Sequence, residues 1–191
     1  MEMNQVMNLI GYQYLHEGKL PHENSNYLAD CFKVITEVNK NLFAQIPFEV
    51  IFTESDVYES AKIMRERVIA EKKIYIYTGS TGHPFLNYDD NNIGRAVHDV
   101  YAHLVCGCPF TFQGEYNAFL TQAKYYPDYL FRVLFAEIPA QTAAYYQNKD
   151  FSYTQRAFFA PQEWVELCKD YVKDYSSNSV MQPFTNLYNK G

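Results

Sequence analysis

Ten residues, Gly94 to His103 (GRAVHDVYAH), constrain this chain more than any other stretch. They set two histidines and an aspartate among Val97, Val100, Ala102 and Leu104. The pattern predicts a buried helix over about 91–106. An imidazole on an apolar helix needs a partner, because an unpaired polar group is costly to bury. His98 and His103 are five apart, which places them ~140° apart around an ideal helix. A π-bulge would turn both onto one ligand, and a metal ion is a suitable one. The alternative is two core histidines, each bonded to a backbone carbonyl. The spacing is not that of the H-E-x-x-H zinc signature, whose histidines are four apart. Asp99 and His103 are four apart and share a face.

The rest of the chain reads as a helical frame for this segment. Val6, Leu9, Ile10, Tyr14 and Leu15 give a helix over 2–16 that ends at Gly18. Leu28, Phe32, Ile35, Val38 and Leu42 give an amphipathic helix over about 26–43, stopped by Pro47. Residues 48–53 alternate and are β-branched, which predicts a strand. Glu54 to Asp56 are read as the cap of a helix over about 57–71, and 73–78 (KIYIYT) as a second strand. The helix between them is a crossover long enough for a parallel pair. Residues 79–92 form a turn-rich loop with His83 inside it, read as exposed, and Asp89, Asp90 and Asn91 are ready helix caps. Helices follow over about 113–125 and 128–147, the latter kinked by Pro139. Residues 151–159 are aromatic and irregular. Pro161 opens a last helix to about Tyr175.

The fold class is therefore α+β, mainly α: a helical domain with a small two-stranded sheet. The 191 residues, 48% of them hydrophobic, suit a single domain over 1–191. Its core spans about 26–175, and 176–191 form a partly extended tail. A formal charge of −6, with no basic run of any length, argues against a nucleic-acid binder held by phosphate contacts. The 18 Tyr and 14 Phe suit a pocket with apolar walls and polar tips. The four cysteines lack a C-x-x-C pair and read as reduced thiols. With no signal-like N-terminus and no long apolar run, the expected location is cytoplasmic, away from membranes.

Two histidines and a carboxylate from another helix form the triad by which non-haem Fe(II) keeps half its shell open. The same ligands suit Zn(II) with one open position, where bound water becomes a nucleophile. Glu137 is the expected third ligand, because Val133, Leu134, Phe135, Ala136 and Ile138 surround it. Gln141 follows it one turn later. Glu115, in Q-G-E-Y, either favours its helix dipole or serves as a fourth ligand or as acceptor for a histidine N–H. Asp99 is read as orienting a ligand, acting as a base or pairing with Arg95. Arg95 and Tyr101 are candidate substrate contacts.

The run His98-Asp-Val-Tyr-Ala-His103, followed by Glu137, resembles the iron site of the pterin-dependent aromatic amino acid hydroxylases, H-[ED]-x-x-[GA]-H plus a later Glu. That resemblance covers about residues 94–160 and implies His98, His103 and Glu137 as iron ligands. Asp99 stands where Glu is usual and Ala102 where Gly is usual, and no pterin-binding segment is found. The set R-A-V-H-D-x-x-x-H, G-E-Y and F-A-E-I-P-A-Q is also similar to a family of uncharacterised bacteriophage and mobile-element proteins. This second resemblance implies that Arg95, Glu115 and Gln141 belong to the same site, and it would place the protein in a host cytoplasm. The expected function is a non-haem Fe(II) oxygenase or hydroxylase of a small aromatic or nucleoside-like molecule. The alternatives are a zinc-dependent peptidase or amidase, with Asp99 or Glu115 as base, and a phage accessory protein that binds a host partner. A homo-oligomer fits any of these.

Overall fold

The helix carrying the two histidines is the partition between two hydrophobic cores. This is seen in a computed structural model of the protein, described over residues 1–79, 82–149 and 155–179. On one side, Ala96, Val100 and Leu104 meet Ile74 and Ile76 of the sheet and Met64 and Val68 of the crossover helix. On the other, Val97 joins the larger core of helices before and after it.

The elements are α1 (Met3–His16), α2 (Asn26–Phe43), β1 (Glu49–Thr53), α3 (Ala61–Glu71), β2 (Lys73–Tyr77), α4 (Tyr88–His98), α5 (Phe112–Gln122), α6 (Phe131–Phe135), α7 (Gln141–Asn148) and α8 (Gln162–Cys168). The two strands pair in parallel, Glu49 opposite Lys73 through Thr53 opposite Tyr77. The mainly helical α+β architecture is as expected. α2 buries Leu28, Cys31, Phe32, Ile35 and Leu42 on one stripe, each large side chain contributing about 1.5–3 kcal/mol. α1 crosses α7 closely because residue 11 is glycine: a Cβ there would lie 2.4 Å from the carbonyl oxygen of Ala143.

Several element ends differ from expectation, each for a local reason. α3 begins at Ala61 because Ser60 caps it, while Asp56 accepts from the Tyr58 N–H in a turn. α4 begins at Tyr88 because the Asn87 side chain accepts from the Asp90 N–H, leaving Asp89 and Asp90 in the first turn. The last helix stops early. Gln113 and Asn117 of α5 donate to the Tyr171 carbonyl, and Asn117 accepts from the Lys173 N–H, drawing the chain off the helix. Parts of three expectations fall outside the described residues: the loop at 80–81, the irregular segment at 151–154 and the tail from 180. All four cysteines are free thiols. Among the described residues no helix is long and apolar enough to cross a membrane.

Candidate metal centre

The α4 helix changes period where its histidines stand. Residues Asp99–Leu104 form a π-helix, and the Val105 N–H reaches back to the Val100 carbonyl at 2.9 Å. The wider turn frees the Tyr101 carbonyl, which accepts instead from the Cys106 thiol. Residues five apart now share a face. His98 Nε2 and His103 Nε2 stand 3.1 Å apart, in the relation that the spacing called for.

Outer partners fix both rings with the same nitrogen inward. His103 Nδ1 faces the Cys108 carbonyl at 2.9 Å. A carbonyl only accepts, so Nδ1 carries the proton. His98 Nδ1 faces Gln122 Oε1 at 2.9 Å. The Gln122 amide is oriented by its other end, which donates to the Tyr126 hydroxyl, and that hydroxyl donates to Asn39. Both imidazoles therefore turn Nε2 to the same point, where a metal ion would take the place of the proton that His98 shares with Glu115. Ligand histidines are held in this way, their second N–H given to a carbonyl or amide.

Glu115 supplies the third donor. It sits in the first turn of α5, whose N-terminus Thr111 caps by accepting the Gly114 N–H. Gly114 lets this turn press against the loop before it, since a Cβ would lie 2.0 Å from the Pro109 carbonyl oxygen. One carboxylate oxygen is 3.0 Å from His98 Nε2, and the other is 3.3 Å from His103 Nε2. Donors bound to one ion at ~2.1 Å stand roughly 3.0–3.4 Å from each other. Among the described residues His98, His103 and Glu115 are the group able to hold a metal ion.

The electrostatics couple these groups closely. Burial alone would lower the His98 pKa, but the Glu115 carboxylate, helped by Asp99, offsets it and pushes His98 up to about 9. For Glu115 burial works upward, yet the two histidines hold it far below the usual carboxylate range. Asp99 is raised by burial, only partly countered by the histidines and Arg95. Burial lowers Arg95, with Asp99 opposing.

The centre opens on a cavity of about 370 Å³. Arg95, Asp99, Glu137 and Gln141 all line it beside His98, His103 and Glu115. Arg95 donates to the Tyr77 carbonyl at 2.9 Å. The expected third ligand, Glu137, does not join the converging group, and Glu115 takes that place. Glu137 instead lies 3.3 Å from His83 Nε2, on a π turn over Ala136–Ala140 around Pro139. His83 is not the exposed loop residue expected: its side chain is fully buried. Its ring packs against Phe32, and its Nδ1 accepts the N–H groups of Phe85 and Leu86. Tyr101 is committed elsewhere, donating to the Leu42 carbonyl. Sequence reasoning missed Gln122, Tyr126 and Asn39, which orient His98. Gln122 lies on the last turn of α5, two turns beyond Glu115, and that i, i+7 spacing is the one local signal for it.

Compared with protein-family models, curated proteins and solved structures, the chain matches none.

Proposed function

We propose that this protein is a mononuclear metal-dependent enzyme, with Fe(II) held by His98, His103 and Glu115 and a small molecule bound in the adjoining cavity. One observation carries the reading. Three side chains bring their Lewis-basic atoms together at 3.0–3.3 Å, with both imidazoles held so that Nε2 faces inward. Two histidines and one carboxylate leave about half of an octahedral shell for oxygen and substrate, and bound Fe(II) would supply oxygen activation there. The chain's own residues do the rest. Gln122 and the Cys108 carbonyl hold the rings in register. Arg95 and Asp99 place charge at the cavity wall, and the aromatic lining limits water.

A zinc hydrolase is the second reading, and Asp99 favours it. Its carboxyl lines the same cavity and is raised by burial, which suits a general base working nearer neutral pH. Untagged protein purified anaerobically and analysed by metal mass spectrometry separates the two. Near-stoichiometric iron, lost in His103→Ala, together with oxygen uptake by the ferrous protein, is the expected result. Stoichiometric zinc with amide- or ester-cleaving activity would replace it with the hydrolase. Metal in neither protein, even after reconstitution, would end both.

A further inference from the structure

A further, largely buried carboxylate faces this cavity with no cation beside it. Glu137 has a side chain only 16% exposed. Its Oε2 accepts from the Gln155 amide at 3.3 Å and lies 3.3 Å from His83 Nε2. Neither neighbour carries a charge. His83 Nδ1 is occupied as an acceptor of two backbone N–H groups, so the ring is neutral with its proton on Nε2. That N–H is near the carboxylate but makes no hydrogen bond, and Glu137 Oε1 is buried without a hydrogen-bond partner among the described residues.

The contrast with the other buried carboxylates is chemical. Glu23 has the Arg156 guanidinium, and Glu115 has two histidines and the metal position. A buried carboxylate with neutral neighbours either takes a proton or waits for a cation. The cavity's own cationic groups are engaged elsewhere, His98 with Glu115 at 3.0 Å. Among the described residues lining it, Arg95 is the one permanent cation, and it donates to the Tyr77 carbonyl. The same walls carry Phe32, Tyr58, Tyr75, Phe110 and Tyr126, and aromatic walls attract organic cations. The last torsion of a glutamate is soft, so Oε1 can turn to a donor entering the cavity.

We propose that Glu137 anchors the cationic nitrogen of a small organic amine, whose aromatic or aliphatic body lies against the aromatic wall of the metal cavity. The amine is the substrate only if the metal-enzyme reading holds; its binding does not depend on that reading. The volume of about 370 Å³ sits at the small end of ligand pockets.

The test is calorimetric binding of three probes of one shape: phenethylamine, 2-phenylethanol and phenylacetate. The whole protein is used, with metal content measured on every sample. Wild type is expected to bind the amine at least tenfold more tightly than either other probe. Glu137→Gln, which keeps the shape and removes the charge, is expected to erase that preference while keeping its metal. Glu137→Asp, a second variant, is expected to retain part of it. Equal binding of the three probes by wild type, or no binding of any, overturns the proposal. So does an amine preference that survives in folded Glu137→Gln. Metal present without an amine preference would sink this proposal alone, and an amine preference without metal would sink the metal-enzyme reading alone.

Discussion

Glu23 meets Arg156 through two hydrogen bonds of 2.7 Å, one on each carboxylate oxygen, whereas Glu115 meets the inward nitrogens of two imidazoles. Both carboxylates are largely buried. The Glu23 cluster is closed. Arg156 also donates to the carbonyls of Tyr14 and Glu17, and its own N–H goes to the Tyr14 hydroxyl. Each guanidinium nitrogen finds an acceptor, and the cluster ties α1 to the segment after residue 155. In the Glu115 cluster a carboxylate and two inward imidazole nitrogens converge on one point, which a metal ion can occupy in place of the proton on His98. A structural ion pair is recognised by completeness, and a candidate ligand site by donors that converge on one point.

That contrast breaks first if Glu115→Gln still binds metal. The expected loss is at least about hundredfold in affinity, or roughly 3 kcal/mol, read by competition against a chelating dye. Glu23→Gln should leave metal affinity unchanged and act on stability instead. Removing one partner of a buried pair costs about 3 kcal/mol, measured as a shift of the urea midpoint. Gln122→Leu sharpens the comparison, because it touches no donor atom. Releasing the His98 Nδ1–H should lower metal affinity by about 10- to 100-fold.

The smallest effect expected is in the pH dependence of stability. Arg156, through its hydrogen bonds, holds Glu23 below its ordinary value of 4.5. Its contribution is present above that value and is lost as pH falls through the lowered one. Wild type should therefore lose more stability than Glu23→Gln on the acid side. His98 runs the other way in metal-free protein. Its contribution is full below 6.5 and is lost as pH rises through about 9. Thermal melts from acid to alkaline pH should show both limbs, and added metal should flatten the alkaline one. An alkaline limb unchanged in His98→Gln would contradict the assignment.

Much of the frame was legible in the chain. The bounds of α2, the β1–β2 pair and the presence of a crossover helix between the strands follow from periodicity and turn residues, which are local, although that helix starts four residues later than expected. The π turn was legible too, because two polar residues five apart on an apolar helix have few ways to share a partner. The identity of the carboxylate was not. Glu137 stands among apolar neighbours, the usual mark of a ligand, while Glu115 stands where the helix dipole alone would favour it. Which one reaches the histidines depends on how α5 seats against the π turn, through the close approach at Gly114. That is a tertiary fact without a local signature. His83 was misplaced for a different reason: the backbone N–H groups of Phe85 and Leu86, two and three residues on, hold its ring, which packs against Phe32 of α2.

The central claim is the position of the ion, and anomalous diffraction from crystals of metal-loaded protein tests it most directly. The account predicts one peak bound by His98 Nε2, His103 Nε2 and Glu115, with Glu137 still beside His83. A peak bound by Glu137 with Glu115 turned away, or no peak at full metal loading, would contradict it.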